Sequence, residues 1–282
     1  RHDLMKGSID PKLPILHMYL ASVTDGAMQR SASRASSVVT SVEKEEALLT
    51  FAAPARSPAV LTARWSAAAR ARETSRTDSL FSDEFAHRLA GEEGWEMDGS
   101  PASRVEMVRT CFVDKLLRTR HSVGCTQIVL LGAGMDARAF RMRGMEDACF
   151  FEVDMYDLFT EKEAKMARFQ PSCARRVVIE ADLADPSTDL AEMLISNGFQ
   201  TADPTMWILE GLIYYLSSEC VARTMALIGA MSAPGSTVFH DAVSASFIAS
   251  GGPFIDEMWA CGVPWLSGHD NYRYAFSYML TT

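Results

Sequence analysis

The chain has 282 residues and a mass of 31.0 kDa, with 48% apolar, 22% charged and 9% aromatic residues. That is average globular usage, which excludes collagen, coiled-coil and disordered classes; a chain of this length buries roughly 70–75% of its unfolded surface. A net charge of −9 exerts no general pull on phosphate backbones or anionic membranes, so neither nucleic acid nor a membrane is an expected partner.

The six cysteines contain no CxxC pair and are too sparse for a secreted disulfide scaffold, so they read as reduced thiols. The six histidines form no HxxxH or HExxH pair, and no metal site is expected. No stretch approaches the ~20 apolar residues of a membrane span. The expected compartment is the cytoplasm. Residues 28–41 (MQRSASRASSVVTS) are Ser/Arg-rich and acid-poor, which reads as a tail, with an organellar transit peptide as the alternative. The first residue is Arg1 rather than Met, so the chain reads as a fragment or a processed product. Residues 1–55 lack sustained periodicity and read as a loosely ordered extension; residues 56–282 read as one domain.

Ser57-Pro58 predicts an N-cap followed by Pro at the first helical position, and an Ala/Arg-rich helix to Glu73 with Leu61, Trp65 and Ala68 on one face. A second helical piece is predicted over Phe81–Leu89, ending at Gly91, and then a polar loop from Glu92 to Pro101. The helix predicted over Ala102–Arg120 places Val105, Arg109, Phe112 and Leu116 on one stripe. An arginine in an apolar stripe needs a carboxylate. That partner is either internal or belongs to a ligand.

The period then changes. Gln127–Leu131, Cys149–Val153, Arg176–Ile179, Thr205–Leu209 and Ser236–Phe239 are short and rich in apolar residues. Helical patterns over Asp157–Phe169, Asp185–Asn197 and Ser217–Met231 separate them. Near-continuous apolar strands alternating with helices predict an α/β fold, a doubly wound, Rossmann-like parallel sheet covered on both faces. Ligands of such sheets bind at the carboxyl ends of the strands. Each of the first four predicted strands presents an acid there: Asp136 in Gly132-Ala133-Gly134-Met135-Asp136-Ala137, Asp154 with Glu152 before it, Asp182 before Leu183, and Glu210 before Gly211.

The loop fits G-x-G-x-x-A and Asp154 follows at the spacing of a dinucleotide fingerprint, so an NAD-dependent oxidoreductase is one reading. Asp136 argues against it, because a carboxylate repels a pyrophosphate unless it turns aside to cap the helix. S-adenosyl-L-methionine carries a sulfonium and an ammonium and no phosphate. Gly132 and Gly134 would let the backbone approach it, Asp154 would accept from the ribose hydroxyls, and Asp182 with Leu183 would take the adenine. The physical reading favours this methyl donor.

The ordered series of Arg64-Trp65, Ala69-Arg70-Ala71-Arg72-Glu73-Thr74, Arg109-Thr110, Phe112-Val113-Asp114, Leu131 to Arg138, Phe151 to Asp154, Ala181-Asp182-Leu183 and Glu210-Gly211-Leu212 resembles the leucine carboxyl methyltransferase family, over roughly residues 57–243. The resemblance implies an S-adenosylmethionine-dependent O-methyltransferase whose acceptor is a carboxylate or hydroxyl. It implies that Arg109 holds the methionine carboxylate and Gly132 lines the amino-acid part. Asp154 would bind ribose, Asp182 and Leu183 adenine, and Glu210 would face the ammonium or sulfonium. Helices within 57–90 would form part of a lid. The segment AAARARET is closer to the bacterial small-molecule branch than to the branch that methylates protein C-terminal leucine. No closing strand is expected after Gly268-His269-Asp270-Asn271-Tyr272, which would leave the sheet edge exposed. A non-catalytic, methyltransferase-like protein is the remaining alternative. Tyr214, Tyr215, His240 and Asp241 stand near strand ends, and no catalytic base is assigned among them.

Overall fold

The apolar runs lie side by side as a parallel sheet in the computed structural model, which describes residues 15–19, 58–95, 101–243 and 274–280. Its strands are β1 (Ile15–Tyr19), β2 (Gln127–Leu131), β3 (Cys149–Asp154), β4 (Arg175–Glu180), β5 (Thr205–Leu209), β6 (Thr237–Val243) and β7 (Tyr274–Leu280), in the spatial order β1-β7-β6-β5-β2-β3-β4. β2 pairs in parallel with both β3 and β5, so the order reverses between β2 and β5, the place where doubly wound sheets receive ligands.

Because both faces of the sheet are covered, alternate residues of one strand enter different cores. Ile128, Leu130 and Phe150 pack on one side with Phe112 and Leu116 of α3 (Pro101–His121), Phe159 of α5 (Tyr156–Met166), and Val60 and Ala67 of α1 (Pro58–Thr74). Val129, Phe151 and Trp207 pack on the other with Leu194 of α6 (Leu190–Ser196) and Ile228 of α7 (Ser218–Met231). Two short helices remain, α2 (Ala86–Ala90) and α4 (Arg138–Arg141).

Two predicted helices are shorter than expected, and side-chain caps are the reason. Over Phe81–Leu89 only α2 is helical, since Glu73 Oε1 accepts from Leu80 N–H at 2.6 Å and Asp83 Oδ1 from Phe85 N–H at 3.2 Å, holding the chain in turns. Over Asp185–Asn197 the helix starts at Leu190, because Asp185 accepts from Ser187 N–H at 2.8 Å and Asp189 caps α6 through Glu192 N–H at 3.0 Å. The face of α1 that is buried runs through Val60, Arg64, Ala67, Ala68 and Ala71, with Leu61 and Trp65 only partly covered. The predicted loop after Glu92 opens with a 3-10 turn, Glu93–Trp95; residues 96–100 and the predicted cap at Ser57 lie outside the described residues.

The expectation that no closing strand follows is corrected. β7 runs antiparallel to β6, with Phe239 opposite Tyr278, and β1 runs antiparallel to β7, with His17 opposite Ser277. Both are short apolar and aromatic runs, ILHMY and YAFSYML, whose partners are remote in sequence. β1 also falls inside the stretch read as a loosely ordered extension. Among the described residues no helix is long and apolar enough to cross a membrane.

Glu152, which stood among the acids near the strand ends, lies inside the layer rather than at the edge. Its carboxylate is fully buried and accepts from Lys162 Nζ at 2.7 Å and from Arg176 Nε and Nη2 at 2.9 and 2.7 Å. Removing one member of a buried ionic group leaves charge uncompensated at a cost of about 3–5 kcal/mol. Glu152→Ala is therefore expected to lower the unfolding free energy by about that amount in a urea titration.

Candidate functional site

The strand register lines up the functional edge. Leu130 lies opposite Ile208, Leu131 opposite Val153, and Leu209 opposite His240. One or two residues further on, the same pairing carries Asp154, Gly132, Glu210 and Asp241 into a row across the switch point. The glycine loop crosses this row. Gly132 and Gly134 both have positive φ, +68° and +51°, a region open to Gly at little cost. A Cβ on Gly132 would also stand 2.9 Å from Leu212 Cδ1, so a side chain here would push that leucine aside.

Asp154 fastens the loop from below. Its Oδ2 accepts from Gly134 N–H at 2.7 Å and its Oδ1 from Met155 N–H at 2.8 Å. Burial pushes this carboxyl above the usual range, against the pull of those two N–H groups. Asp136, the acid that argued against a pyrophosphate, is turned aside: Oδ1 accepts from Arg138 N–H at 2.6 Å, and Oδ2 from the Arg138 guanidinium. The helix it opens, α4, has only four residues, so the dipole that would receive a pyrophosphate is nearly absent.

Arg109 is reached by the stripe of α3 and is buried. Its Nε donates to Glu210 Oε1 at 3.1 Å, and its Nη1 donates to Asp241 Oδ2 at 2.8 Å and to Tyr214 OH at 3.4 Å. The internal-ion-pair reading of this arginine thus describes the chain as it stands. Arg138 holds the other oxygen, Glu210 Oε2, at 2.7 Å, while its Nε donates to Asp114 Oδ1 at 2.8 Å. Glu210 is therefore shared by two guanidiniums, one from α3 and one from α4. Asp241 closes the arrangement by accepting from Gly211 N–H at 2.6 Å; a Cβ at Gly211, whose φ is +70°, would come within 3.3 Å of the Arg109 nitrogens.

The structure brings Arg109 directly to Glu210, and Gly134 directly to Asp154. Asp182 and Leu183 lie at the same edge but further out: Ala181 N–H donates to Asp154 O at 2.9 Å, and exposed Asp182 caps its own turn through Ala184 N–H at 2.8 Å. α1 lies over the loop, with Arg70 donating to the Met135 carbonyl and bonding Asp83 at 2.9 Å. Arg138, Asp114 and Glu106 carried no role in the sequence reading. Arg138 was visible as part of the loop motif, but its reach to Glu210 depends on a 72-residue separation that no local pattern reports.

These features define a doubly wound sheet with an acidic, glycine-lined switch point. The sequence model of the family described as leucine carboxyl methyltransferase matches residues 63–229, and the chain belongs to this family. A Mycolicibacterium smegmatis protein named "Putative S-adenosyl-L-methionine-dependent methyltransferase" is 35% identical over 200 residues, 64% of this chain and 62% of its own length. A Streptomyces coelicolor protein with the same descriptive name is 36% identical over 225 residues, 71% of this chain and 78% of its own length. The chain thus spans less than two thirds of the first of these relatives. In fold it is similar to a crystal structure from Thermobifida fusca described as a "putative methyltransferase", with a TM-score of 0.50 at 17% identity, covering 77% of this chain and 94% of that one.

Asp136 also sets an acid limit. Burial raises its carboxyl, but Arg138 and then Lys162, Arg70 and Arg141 outweigh that and hold it at about 2, below its ordinary 3.8. A depressed folded value contributes stability that is present above about pH 4 and is lost as pH falls towards about 2. Asp136→Asn is expected to cost about 3 kcal/mol at neutral pH by leaving Arg138 underpaired, and the gap to the wild type to narrow below about pH 3. Thermal melts of both proteins across that range check this; a gap that does not narrow contradicts it.

Proposed function

We propose that the chain is an S-adenosylmethionine-dependent O-methyltransferase acting on a carboxylate or hydroxyl of a small molecule. The observation that carries the reading is the row Asp154–Gly132–Glu210–Asp241 at the switch point, with Glu210 held between Arg109 and Arg138. Membership of the family and the names of the relatives support it.

The residues present fit the donor. Its two positive charges suit an edge with an excess of carboxylates, its ribose suits a carboxylate at a strand end, and its close approach suits glycines with positive φ. Arg138 Nη2 is buried with no hydrogen-bond partner among the described residues. Arg109 would hold the amino-acid carboxylate beside the carboxylates it now binds. Glu210 would face the ammonium or sulfonium, Asp154 the ribose, and Asp182 with Leu183 the adenine.

When bound, the cofactor supplies an electrophilic methyl group on a sulfonium. The chain contributes orientation, since an in-line displacement gains most from fixed geometry, and exclusion of water by α1 over the loop. A hydroxyl acceptor would gain from a general base, whereas a carboxylate is already nucleophilic at neutral pH. Of the groups near the strand ends, Tyr214 and Asp241 are engaged with Arg109, and Asp241 with Gly211 as well. Their commitment argues against either of these two as that base.

Calorimetric titration with S-adenosylhomocysteine tests the reading, with saturable binding expected. Arg109→Lys keeps the charge but loses the fork that reaches two partners, and is expected to weaken binding by about tenfold or more, roughly 1.4 kcal/mol. No binding heat at millimolar ligand sinks the proposal, and unchanged affinity in the variant returns Arg109 to a purely structural role.

A further inference from the structure

Glu106 lies one turn before Arg109 on α3. Its Oε1 accepts from Ser66 Oγ of α1 at 2.6 Å and stands 3.9 Å from Arg109 Nη2, near the guanidinium yet beyond hydrogen-bond distance. Its side chain is 21% exposed, so solvent can deliver or remove a proton. The groups that face it are Ser66 and Arg70 from α1, Arg109 from α3, and Glu210 from the turn after β5. Burial pushes its carboxyl up, Arg109, Ser66 and Arg70 pull against that, and Glu210 adds to it; the outcome is a carboxyl held above the usual range.

Among the described residues three acids therefore stand around Arg109: Glu210 at 3.1 Å, Asp241 at 2.8 Å and Glu106 at 3.9 Å. Of these three, Arg138 reaches Glu210, and it is itself engaged by Asp136 and Asp114. A ligand carboxylate that arrives at Arg109 is a fourth acid in one half-buried space, and like charges in such a space raise one another's proton affinity. Protonating Glu210 or Asp241 would weaken a charge-assisted hydrogen bond to the guanidinium. Protonating Glu106 breaks no such bond.

We propose that Glu106 takes up one proton from solvent when the carboxylate of the donor's amino-acid end docks at Arg109, and that its neutral carboxyl then donates a hydrogen bond to that carboxylate. No covalent bond changes; one proton moves from water to Glu106 per ligand bound. Ser66 stays bonded to the other oxygen and ties α1 to the occupied site. The inference rests on the donor reading given above. It makes Glu106 a positioning residue whose charge state reports occupancy.

The test is calorimetry of S-adenosylhomocysteine binding to the full chain, between about pH 5 and about pH 7, in pairs of buffers that differ in ionisation enthalpy. The ligand's amino group titrates above that range, at about 7.7 or higher. The wild type is expected to show net proton uptake that approaches one within the range, and Glu106→Gln is expected to bind with uptake near zero. Ser66→Ala removes a hydrogen bond that favours the charged carboxyl, so its uptake is expected to move to higher pH; it also serves if the glutamine variant does not fold. Binding without uptake in the wild type overturns the proposal, as does uptake in Glu106→Gln equal to that of the wild type. Absence of binding heat in every buffer overturns the donor reading first, and this inference with it.

Discussion

Glu210 is a carboxylate shared by two guanidiniums that arrive from different parts of the chain, Arg109 on α3 and Arg138 on α4. Each arginine is almost fully buried, and a buried cation is tolerated only when acids surround it. That requirement organises the edge of the sheet. Asp241 must stand beside Arg109, and Asp114 and Asp136 beside Arg138, so the helices, the glycine loop and the ends of β5 and β6 are bound into one ionic group. The loop cannot shift without disturbing Asp136, and α3 cannot shift without disturbing Arg109. A ligand entering here meets groups whose positions are already fixed, which is what an orientation-dependent reaction needs.

The same group explains a division of labour among acids that look alike in sequence. Glu152 and Asp154 are two residues apart on β3, yet Glu152 is closed in by Lys162 and Arg176 within the layer, while Asp154 reaches the glycine loop. Asp136 is committed to Arg138, and Asp182 stands further out, beyond the end of β4. The acids that join the row at the switch point are those that a glycine turn adjoins: Asp154 beside Gly134, and Glu210 and Asp241 beside Gly211. Position along the strand, rather than residue type, separates structural acids from candidate ligand-binding ones.

Much of this was legible in the sequence because the signals were local. Gln127–Leu131 and Thr205–Leu209 are strands with the predicted bounds, since runs buried on both faces are apolar from end to end. The Arg109 stripe follows from 3.6-residue periodicity alone. What escaped depends on side chains competing with the backbone or on remote pairing. The turns at Asp83 and Asp185 cut back two predicted helices through carboxylates that bind N–H groups. β7 finds β6, and β1 finds β7, across separations that no window of residues covers. Glu106 carries no local signal in the sequence, because Ser66 reaches it from a separate helix, 40 residues away.

If the shared carboxylate is what prepares the edge for a cationic donor, neutralising it without changing its shape should cost affinity while the sheet stays intact. The direct measurement is the dissociation constant of S-adenosylmethionine for Glu210→Gln beside the wild type, at equal ionic strength and with thermal melts of both. The account expects binding weaker by about tenfold or more. Equal affinity for the two folded proteins would contradict it.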